Sequence, residues 1–328
     1  MLFGTEFAQA RRRVGSLDQV AGVESFIVAD GPAAGTRLLR VRNGGGLEVE
    51  VHPDSGFDIG QVRLDGIPLT WISPAATPKG DFVERFRGGL VVTCGLDSFG
   101  PPSEEEGHSF PQHGVIGTQP AKITRAEVTA DAVVLEAEIR QHRLFGENLV
   151  LRRRIDIPLG GDSIHLTDAV TNDADHEQGH MVLYHSNLGW PLFEDGSSIR
   201  VQSSQSRGVT ELAQADIAAW NIAGAPEPGY PERVYVHTTA ADETGWGRAG
   251  VSNPARGLDV ELAYSSVSLP YLFEWKVLAP GTYVVGLEPA NSQSMGGRAS
   301  ARATGDLPVL AAGETREYQL VWTFRHSA

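Results

Sequence analysis

Residues 134–170 read VLEAEIRQHRLFGENLVLRRRIDIPLGGDSIHLTDAV and contain three segments in which apolar and polar side chains alternate. In the first segment, Leu135, Ala137 and Ile139 alternate with charged residues, and residues 148–157 and 163–170 repeat the pattern. A period of two residues, bounded by Gly, Pro, Asn and Asp, is typical of β-strands. The stretch therefore predicts three successive strands.

The same alternation recurs over residues 46–52, 256–264, 283–288 and 317–324. Helical patterns are scarce and are confined to residues 7–14 and 211–220. Because strands and helices do not alternate regularly, the sequence does not favour a parallel α/β sheet. The predicted fold is all-β, a large antiparallel sandwich with one or two short helices.

The chain has 328 residues, a length that favours about two domains as a general prior. No linker or composition shift divides it, so we predict a single domain over residues 1–328 with residues 1–22 as an N-terminal helical arm. The basic triplets at 11–13 and 152–154 are interpreted as solvated surface.

The charge balance argues against two classes of partner. Acidic residues number 41 and basic residues 27, which gives a formal charge of −14. Nucleic acids and anionic membrane surfaces both require a basic patch, so neither is an expected partner. The first residues lack the apolar segment of a signal peptide, and no apolar run is long enough to span a bilayer. The expected location is cytoplasmic.

Cysteine and histidine patterns predict neither a metal site nor a cofactor. Cys94 is the one cysteine and lies in an apolar run, which favours buried packing over a reactive thiol. His176 and His180 match the H-E-x-x-H zinc motif, whose chemistry requires a helix. Gly179 and the surrounding turn formers instead favour a connection between strands.

Three short polar segments stand out against apolar surroundings. Gln112-His113-Gly114 follows a loop, His185 and Asn187 share one face of an apolar strand, and Leu287-Glu288-Pro289-Ala290-Asn291 ends another strand. A glutamate there is costly to bury unless it is paired or functional. Each histidine alone is also explained as a core residue with satisfied hydrogen bonds.

Taken in order, these segments resemble the aldose 1-epimerase (galactose mutarotase-like) superfamily, and most of all its bacterial epimerase-like branch of unknown function. Supporting segments are residues 16–22, 54–60 and 87–96 and the pair Trp275-Lys276, so the resemblance extends from residue 16 to residue 291. It implies an antiparallel β supersandwich with an open sugar-binding cleft.

The resemblance also implies roles for individual residues. Glu288 would be the base that removes the proton from the C1 hydroxyl of a cyclic sugar, and His185 the acid that protonates the ring oxygen. The ring would then open, rotate about C1–C2 and close to the other anomer. His113 and Arg87 would hold the substrate. This chemistry requires a base and an acid on opposite sides of the anomeric centre, each within hydrogen-bond reach of it.

The sequence departs from the family pattern at the sugar-contacting positions. The family's substrate-binding aspartate has no clear counterpart, although Glu232 and His237 lie in the corresponding interval. Lys276 and Arg87 suggest an anionic sugar, and surface pairing explains them equally well. The remaining candidates for substrate contacts are Asn187 and Asn291.

The sequence therefore predicts an isomerase that interconverts the anomers of an aldose or aldose derivative. Two alternatives stay open: a carbohydrate-binding protein without turnover, and a hydrolase, lyase or isomerase of modified sugars on the same fold. A hydrolase normally uses two carboxylates, and only Glu288 stands out. The expected partner is a small sugar, and a homodimer is compatible with the sequence.

Overall fold

The computed structural model describes residues 2, 4–75, 80–105 and 107–326. In these residues, the secondary structure is dominated by strands. The strands are β1 Gly22–Ile27, β2 Arg37–Arg42, β3 Leu47–His52, β4 Asp58–Leu64, β5 Ile67–Pro68, β6 Val92–Cys94, β7 Ser103–Glu105, β8 His108–Phe110, β9 Lys122–Val128, β10 Ala132–His142, β11 Asn148–Pro158, β12 Ser163–Asn172, β13 Gln178–Gly179, β14 Leu183–Gly189, β15 Ser198–Val201, β16 Ser203–Gly208, β17 Arg233–Thr239, β18 Trp246–Asn253, β19 Leu258–Ser265, β20 Tyr271–Ala279, β21 Thr282–Ala290, β22 Val309–Leu310 and β23 Thr315–His326. The helices are α1 Phe7–Arg11, α2 Phe82–Arg85, α3 Glu211–Ala215 and α4 Gly297–Thr304, with 3₁₀ turns at Leu17–Gln19, Ile116–Thr118 and Ile217–Ala219.

The predicted strands and the all-β antiparallel fold are confirmed. The three segments of residues 134–170 lie in β10, β11 and β12, which pair in that order as an antiparallel meander. The other four predicted strands lie in β3, β19, β21 and β23. Alternation identified them because most of these strands bury one face against the core.

The helices are shorter and more numerous than predicted. The patterns at 7–14 and 211–220 form only α1 and α3, and α2 and α4 were not anticipated. Local chemistry explains both additions: Asp81 and Glu84 form a capping box at the start of α2, and Gly305 ends α4 with φ of 77°. None of the described helices has the length and apolar composition that crossing a bilayer requires.

Two large antiparallel sheets enclose the main core. Trp322 of β23 donates its indole N–H to Ser186 of β14 across the interface at 3.0 Å. A five-stranded sheet, β1-β2-β3-β4-β5, packs against the same core. The order of the eight-stranded sheet is β15-β18-β19-β23-β12-β11-β10-β9, and that of the six-stranded sheet is β16-β17-β20-β21-β14-β6.

A buried ionic network joins three sheets at the centre of the molecule. The guanidinium of Arg153 donates to Asp168 at 2.7–2.8 Å, to Asp58 at 2.7 Å and to Thr93 at 2.8 Å. Tyr184 donates its hydroxyl to Asp168 at 2.8 Å. Arg153 is 1% exposed. The interpretation of residues 152–154 as solvated surface is therefore wrong for this arginine, whose charge is neutralised inside the core.

The H-E-x-x-H segment is not helical, as predicted. Its residues form a turn and the short strand β13, so the two histidines do not share a helix face. His180 is fully buried and bonds the carbonyl oxygen of Leu96 and the hydroxyl of Tyr318, both at 2.7 Å. Cys94 is buried in an apolar cluster, which confirms its predicted packing role.

Candidate active site

His185 and Glu288 lie side by side on one face of the six-stranded sheet. Glu288 of β21 pairs with Phe273 of β20, and Ser186 pairs with Leu287, which sets His185 opposite Glu288. Directly opposed residues of antiparallel strands project to the same face. The imidazole Nε2 of His185 is 3.1 Å from the carboxyl Oε1 of Glu288. The structure thus brings together the two residues to which the resemblance assigns acid and base, but in direct contact with each other rather than on opposite sides of a space for the anomeric centre.

A cavity of about 480 Å³ opens in front of this pair. Its volume is typical of a small-molecule site, and most of its walls are apolar. The lining residues are Phe82, Val83, Phe86, Gly100, Pro101, Gln112, His113, His185, Val209, Thr210, Glu232, Val234, Trp275, Glu288 and Met295.

Aromatic side chains form the walls nearest the pair. Phe86 lies 4.9 Å and Trp275 5.4 Å from His185 between ring centroids. Phe82 and Phe86 are supplied by α2 and the residue after it, which the capping box at Asp81 stabilises. Such walls exclude water from the reacting groups and offer flat apolar faces to the C–H groups of a sugar ring.

His113 reaches the same cavity from a strained loop. Its backbone φ is 55°, a left-handed value that is uncommon outside glycine. The Nδ1 atom accepts the N–H of Gly100 at 3.5 Å, and burial followed by the charge of Arg85 lowers the pKa of His113 to about 4. The ring is therefore neutral at pH 7 with its proton on Nε2, which makes that atom a hydrogen-bond donor.

The pKa values of His185 and Glu288 move in opposite directions. Burial, followed by nearby His113, places the pKa of His185 well below its usual value. Burial, followed by the charges of Glu232 and Glu274, places the pKa of Glu288 well above its usual value. Burial therefore favours the uncharged form of each group, a neutral imidazole and a protonated carboxyl.

A second carboxylate stands at the mouth of the cavity. Glu232 accepts the indole N–H of Trp275 through Oε2 at 3.0 Å and is otherwise exposed. This contact fixes both side chains at the cavity wall. Glu232 thus lines the cavity, at a position where a bound molecule could reach its carboxylate.

A family model described as a domain of unknown function, DUF4432, matches residues 33–323. The chain belongs to this family. No curated protein matches it.

Several solved structures have the same fold as this chain. A protein from Klebsiella pneumoniae described as a "putative aldose 1-epimerase" is 22% identical with a TM-score of 0.87, over 95% of this chain and 86% of that one. A galactose mutarotase-like protein from Clostridium acetobutylicum is 14% identical with a TM-score of 0.70, over 94% and 99% of the chains. Galactose 1-epimerase from Lactobacillus acidophilus is 12% identical with a TM-score of 0.65, over 94% and 100%. The fold that the resemblance implies is confirmed, and it is galactose mutarotase-like.

Two predicted substrate contacts of the DUF4432 protein lie on the opposite face of the sheet. Lys276 is 1% exposed and donates its ammonium to three backbone carbonyls of residues 219–222 at 2.7–3.1 Å. His237 is fully buried, with Nδ1 2.7 Å from Ser206 and Nε2 3.4 Å from Glu274. The structure brings neither side chain to the cavity.

Both asparagines stabilise the backbone near the site. Asn187 donates its amide to the carbonyls of Gly89 and His185 at 3.1 and 2.8 Å. Asn291 accepts the N–H of Val182 at 2.9 Å and donates to the carbonyl of residue 180. They are buried and do not line the cavity, so they position strand β14 and its histidine.

Arg87 also lies outside the cavity, although its neighbour Phe86 lines it. The Arg87 guanidinium is 3.2 Å from Nδ1 of His52 and borders a separate cleft of about 270 Å³ with Glu50. No lysine or arginine is among the described residues that line the cavity. The predicted cations are therefore absent from its described walls.

Sequence reasoning missed several lining residues. Phe82 and Phe86 had a detectable signal, because Asp81 and Glu84 have the spacing of a capping box and predict a helix start. Thr210 and Met295 had none, since a threonine or methionine in a loop resembles any other. Among the described residues, no three His, Cys, Asp or Glu side chains are grouped so that they could hold a metal ion.

Proposed function

We propose that this DUF4432 protein interconverts the α and β anomers of a neutral aldose by acid–base ring opening. The observation that carries the proposal is the His185–Glu288 pair, whose Nε2 and Oε1 atoms are 3.1 Å apart in the wall of a largely apolar cavity. A pair with one removable proton and one vacant basic site is what anomer exchange requires.

The reaction follows from the adjacency of the pair. The C1 hydroxyl oxygen and the ring oxygen are bonded to the same carbon, so neighbouring acid and base groups can reach both. Glu288 as a carboxylate takes the C1 hydroxyl proton while His185 as an imidazolium protonates the ring oxygen. The bond between C1 and the ring oxygen breaks and an aldehyde forms. After rotation about C1–C2, the same steps in reverse close the ring.

The remaining groups orient the sugar. His113 donates from Nε2, Glu232 and Gln112 offer polar contacts at the wall, and Trp275 presents an apolar face. A neutral imidazole and a carboxyl group hold the same single proton as an imidazolium and a carboxylate. The reactive form is therefore reached by moving that proton within the pair, without exchange with solvent.

The charge of the cavity favours an uncharged substrate. Glu232 and Glu288 are its ionisable carboxyl groups, and Arg87 and Lys276, which suggested an anionic sugar, both lie elsewhere. Among the cavity residues that the structure describes, an anionic group would meet like charge without a compensating cation.

Anomer exchange measured by NMR on a panel of sugars tests this proposal. We expect acceleration of neutral aldoses over buffer, and values of kcat/KM at least about tenfold lower for uronic acids and sugar phosphates. Saturable binding of neutral sugars without acceleration would show a binding protein instead. Equal acceleration of neutral and anionic sugars would contradict the charge argument.

The activity of the enzyme should have a bell-shaped dependence on pH. The singly protonated pair is active, so activity falls at acidic pH when the pair gains a proton at the lowered pKa of His185. It falls again when the pair loses its proton at the raised pKa of Glu288. We expect a broad plateau spanning neutral pH in kcat/KM measured on one neutral aldose. A profile that drops between pH 6 and 8, around the ordinary histidine pKa of about 6.5, would contradict the assignment of a single proton to the pair.

One observation favours a second candidate, hydrolysis of a glycoside. Glu232 lines the same cavity as Glu288, and the two carboxyl groups together support this candidate. Glycosidases use two such groups around the scissile bond. Release of the aglycone from aryl glycosides, with loss in Glu232→Gln, would support this candidate over anomer exchange.

A further inference from the structure

A second groove borders the candidate active site and is chemically different from it. The two cavities share Val209 and Met295 as walls, and the groove has a volume of about 440 Å³. Strand β16 and the segment containing α4 form its sides. Its polar side chains are Arg207, Gln293, Ser294, Ser300, Thr304 and Asp306.

The groove offers both donors and acceptors. Arg207 is exposed, and its guanidinium has no hydrogen bond or ion pair with any residue that the structure describes. Asp306 accepts Gln293 through Oδ1 at 2.9 Å and Thr304 through Oδ2 at 2.7 Å, which orients its carboxylate. One cation and one anion leave the lining without net charge.

We propose that this groove binds a second sugar ring, so that the substrate is a reducing disaccharide or longer oligosaccharide. This inference rests on the proposed function, since the reducing ring would occupy the cavity of His185 and Glu288. A disaccharide with a free C1 still undergoes anomer exchange, and its other ring must lie beyond the cavity. The shared walls at Val209 and Met295 place the groove next to the first ring.

The chemistry of the groove fits hydroxyl groups better than an anion. A sugar hydroxyl donates one hydrogen bond and accepts others, which suits a lining of hydroxyls, an amide, a guanidinium and a carboxylate. A phosphate or carboxylate would be attracted by the guanidinium of Arg207 but repelled by the carboxylate of Asp306. Apolar walls would therefore surround the reacting ring in the first cavity, and polar groups would bind the second ring in the groove.

The test compares kcat/KM for anomer exchange of 1→3-, 1→4- and 1→6-linked reducing disaccharides with that of their reducing monosaccharides. We expect at least one disaccharide to be favoured by about tenfold, the gain of a charged hydrogen bond. Arg207→Ala should remove this preference and leave kcat/KM for the monosaccharides unchanged. The control is Arg325→Ala, which removes another exposed arginine at the end of β23 and should change neither value.

The outcomes separate this inference from the proposed function. If monosaccharides are accelerated but no disaccharide is favoured, or if Arg207→Ala weakens both classes equally, the second-ring site is wrong and the proposed function stands. If anomer exchange is accelerated for no sugar, the proposed function is wrong. Binding measured by calorimetry then tests whether the groove holds a second sugar ring. Tighter binding of a disaccharide than of its monosaccharide, lost in Arg207→Ala, supports the site, and equal binding overturns it.

Discussion

Replacing Arg153 by methionine is expected to lower the free energy of unfolding by about 3–5 kcal/mol, because a buried ionic network loses its central cation. Asp58 and Asp168 would remain buried without the guanidinium that pairs with both. Burial already raises the pKa of Asp58, and Arg153 is the largest influence that opposes this rise. Removing that charge leaves two carboxylates in the core that must take up protons or stay unpaired.

Urea unfolding of the variant at pH 7 measures this effect, with Arg152→Met as a matched control. Arg152 is the preceding residue on β11, and its side chain is 58% exposed and paired with Glu138 at 3.2 Å. Losing such a surface pair changes stability by about 0.5 kcal/mol or less. Similar losses in the two variants would mean that the network contributes no more than a surface pair.

The network also supports the candidate site. Tyr184, which bonds Asp168, is the residue before His185 on β14, and Thr93, which bonds Arg153, pairs with Tyr184 across β6. Strands β6 and β14 are thus both hydrogen-bonded to the buried Arg153–Asp168 network, next to His185 in the chain. We infer that the network fixes the position of His185 relative to Glu288 as well as stabilising the core.

The alternation of apolar and polar residues made many of the strands predictable from the sequence. Strands with one buried face, such as β10 and β11, show a clear period of two. A period of two also places Arg153 on the same buried face as Leu151 and Ile155. The charge of Arg153 nevertheless favoured the interpretation that it lies on the surface. Asp58 lies 95 positions away in sequence, so no local pattern could reveal the partner that permits this burial.

The candidate site was predictable only in part, for a related reason. His185 and Glu288 were identified by motif, but β14 and most of β20 are buried on both faces. Alternation then no longer shows which side chains share a face, so it could not show that Lys276 and His237 project away from the cavity. Their contacts depend on the register with β17 and on the 219–222 loop, which only the assembled sheet defines.

Glu288→Gln is expected to reduce anomer exchange by about 10²–10⁴-fold, the usual contribution of a positioned general base. The amide keeps the size of the side chain but cannot accept the C1 hydroxyl proton and release it again. NMR exchange rates on a neutral aldose, compared with the rate in buffer, measure the loss. Activity within threefold of the unmodified protein would remove Glu288 as the base.

The matched control is Glu274→Gln on the neighbouring strand. Glu274 is also fully buried, its carboxyl lies 3.4 Å from Nε2 of His237, and burial raises its pKa. It projects to the opposite face, because it pairs with Leu287 rather than with Glu288. A general cost of losing a buried carboxyl would appear in both variants, whereas loss of the base appears only in Glu288→Gln.

Stability should change in the opposite direction to activity. Because the folded-state pKa of Glu288 lies above its unfolded value of about 4.5, its contribution to stability is complete below that pH and is lost as pH rises through the folded-state pKa. Glutamine has no such dependence, so Glu288→Gln should gain stability relative to the unmodified protein as pH rises. An inactive protein that is more stable at pH 8 than its parent cannot owe its inactivity to unfolding. That combination would show that burial of the Glu288 carboxyl lowers the stability of the protein at this pH while the carboxyl is needed for activity.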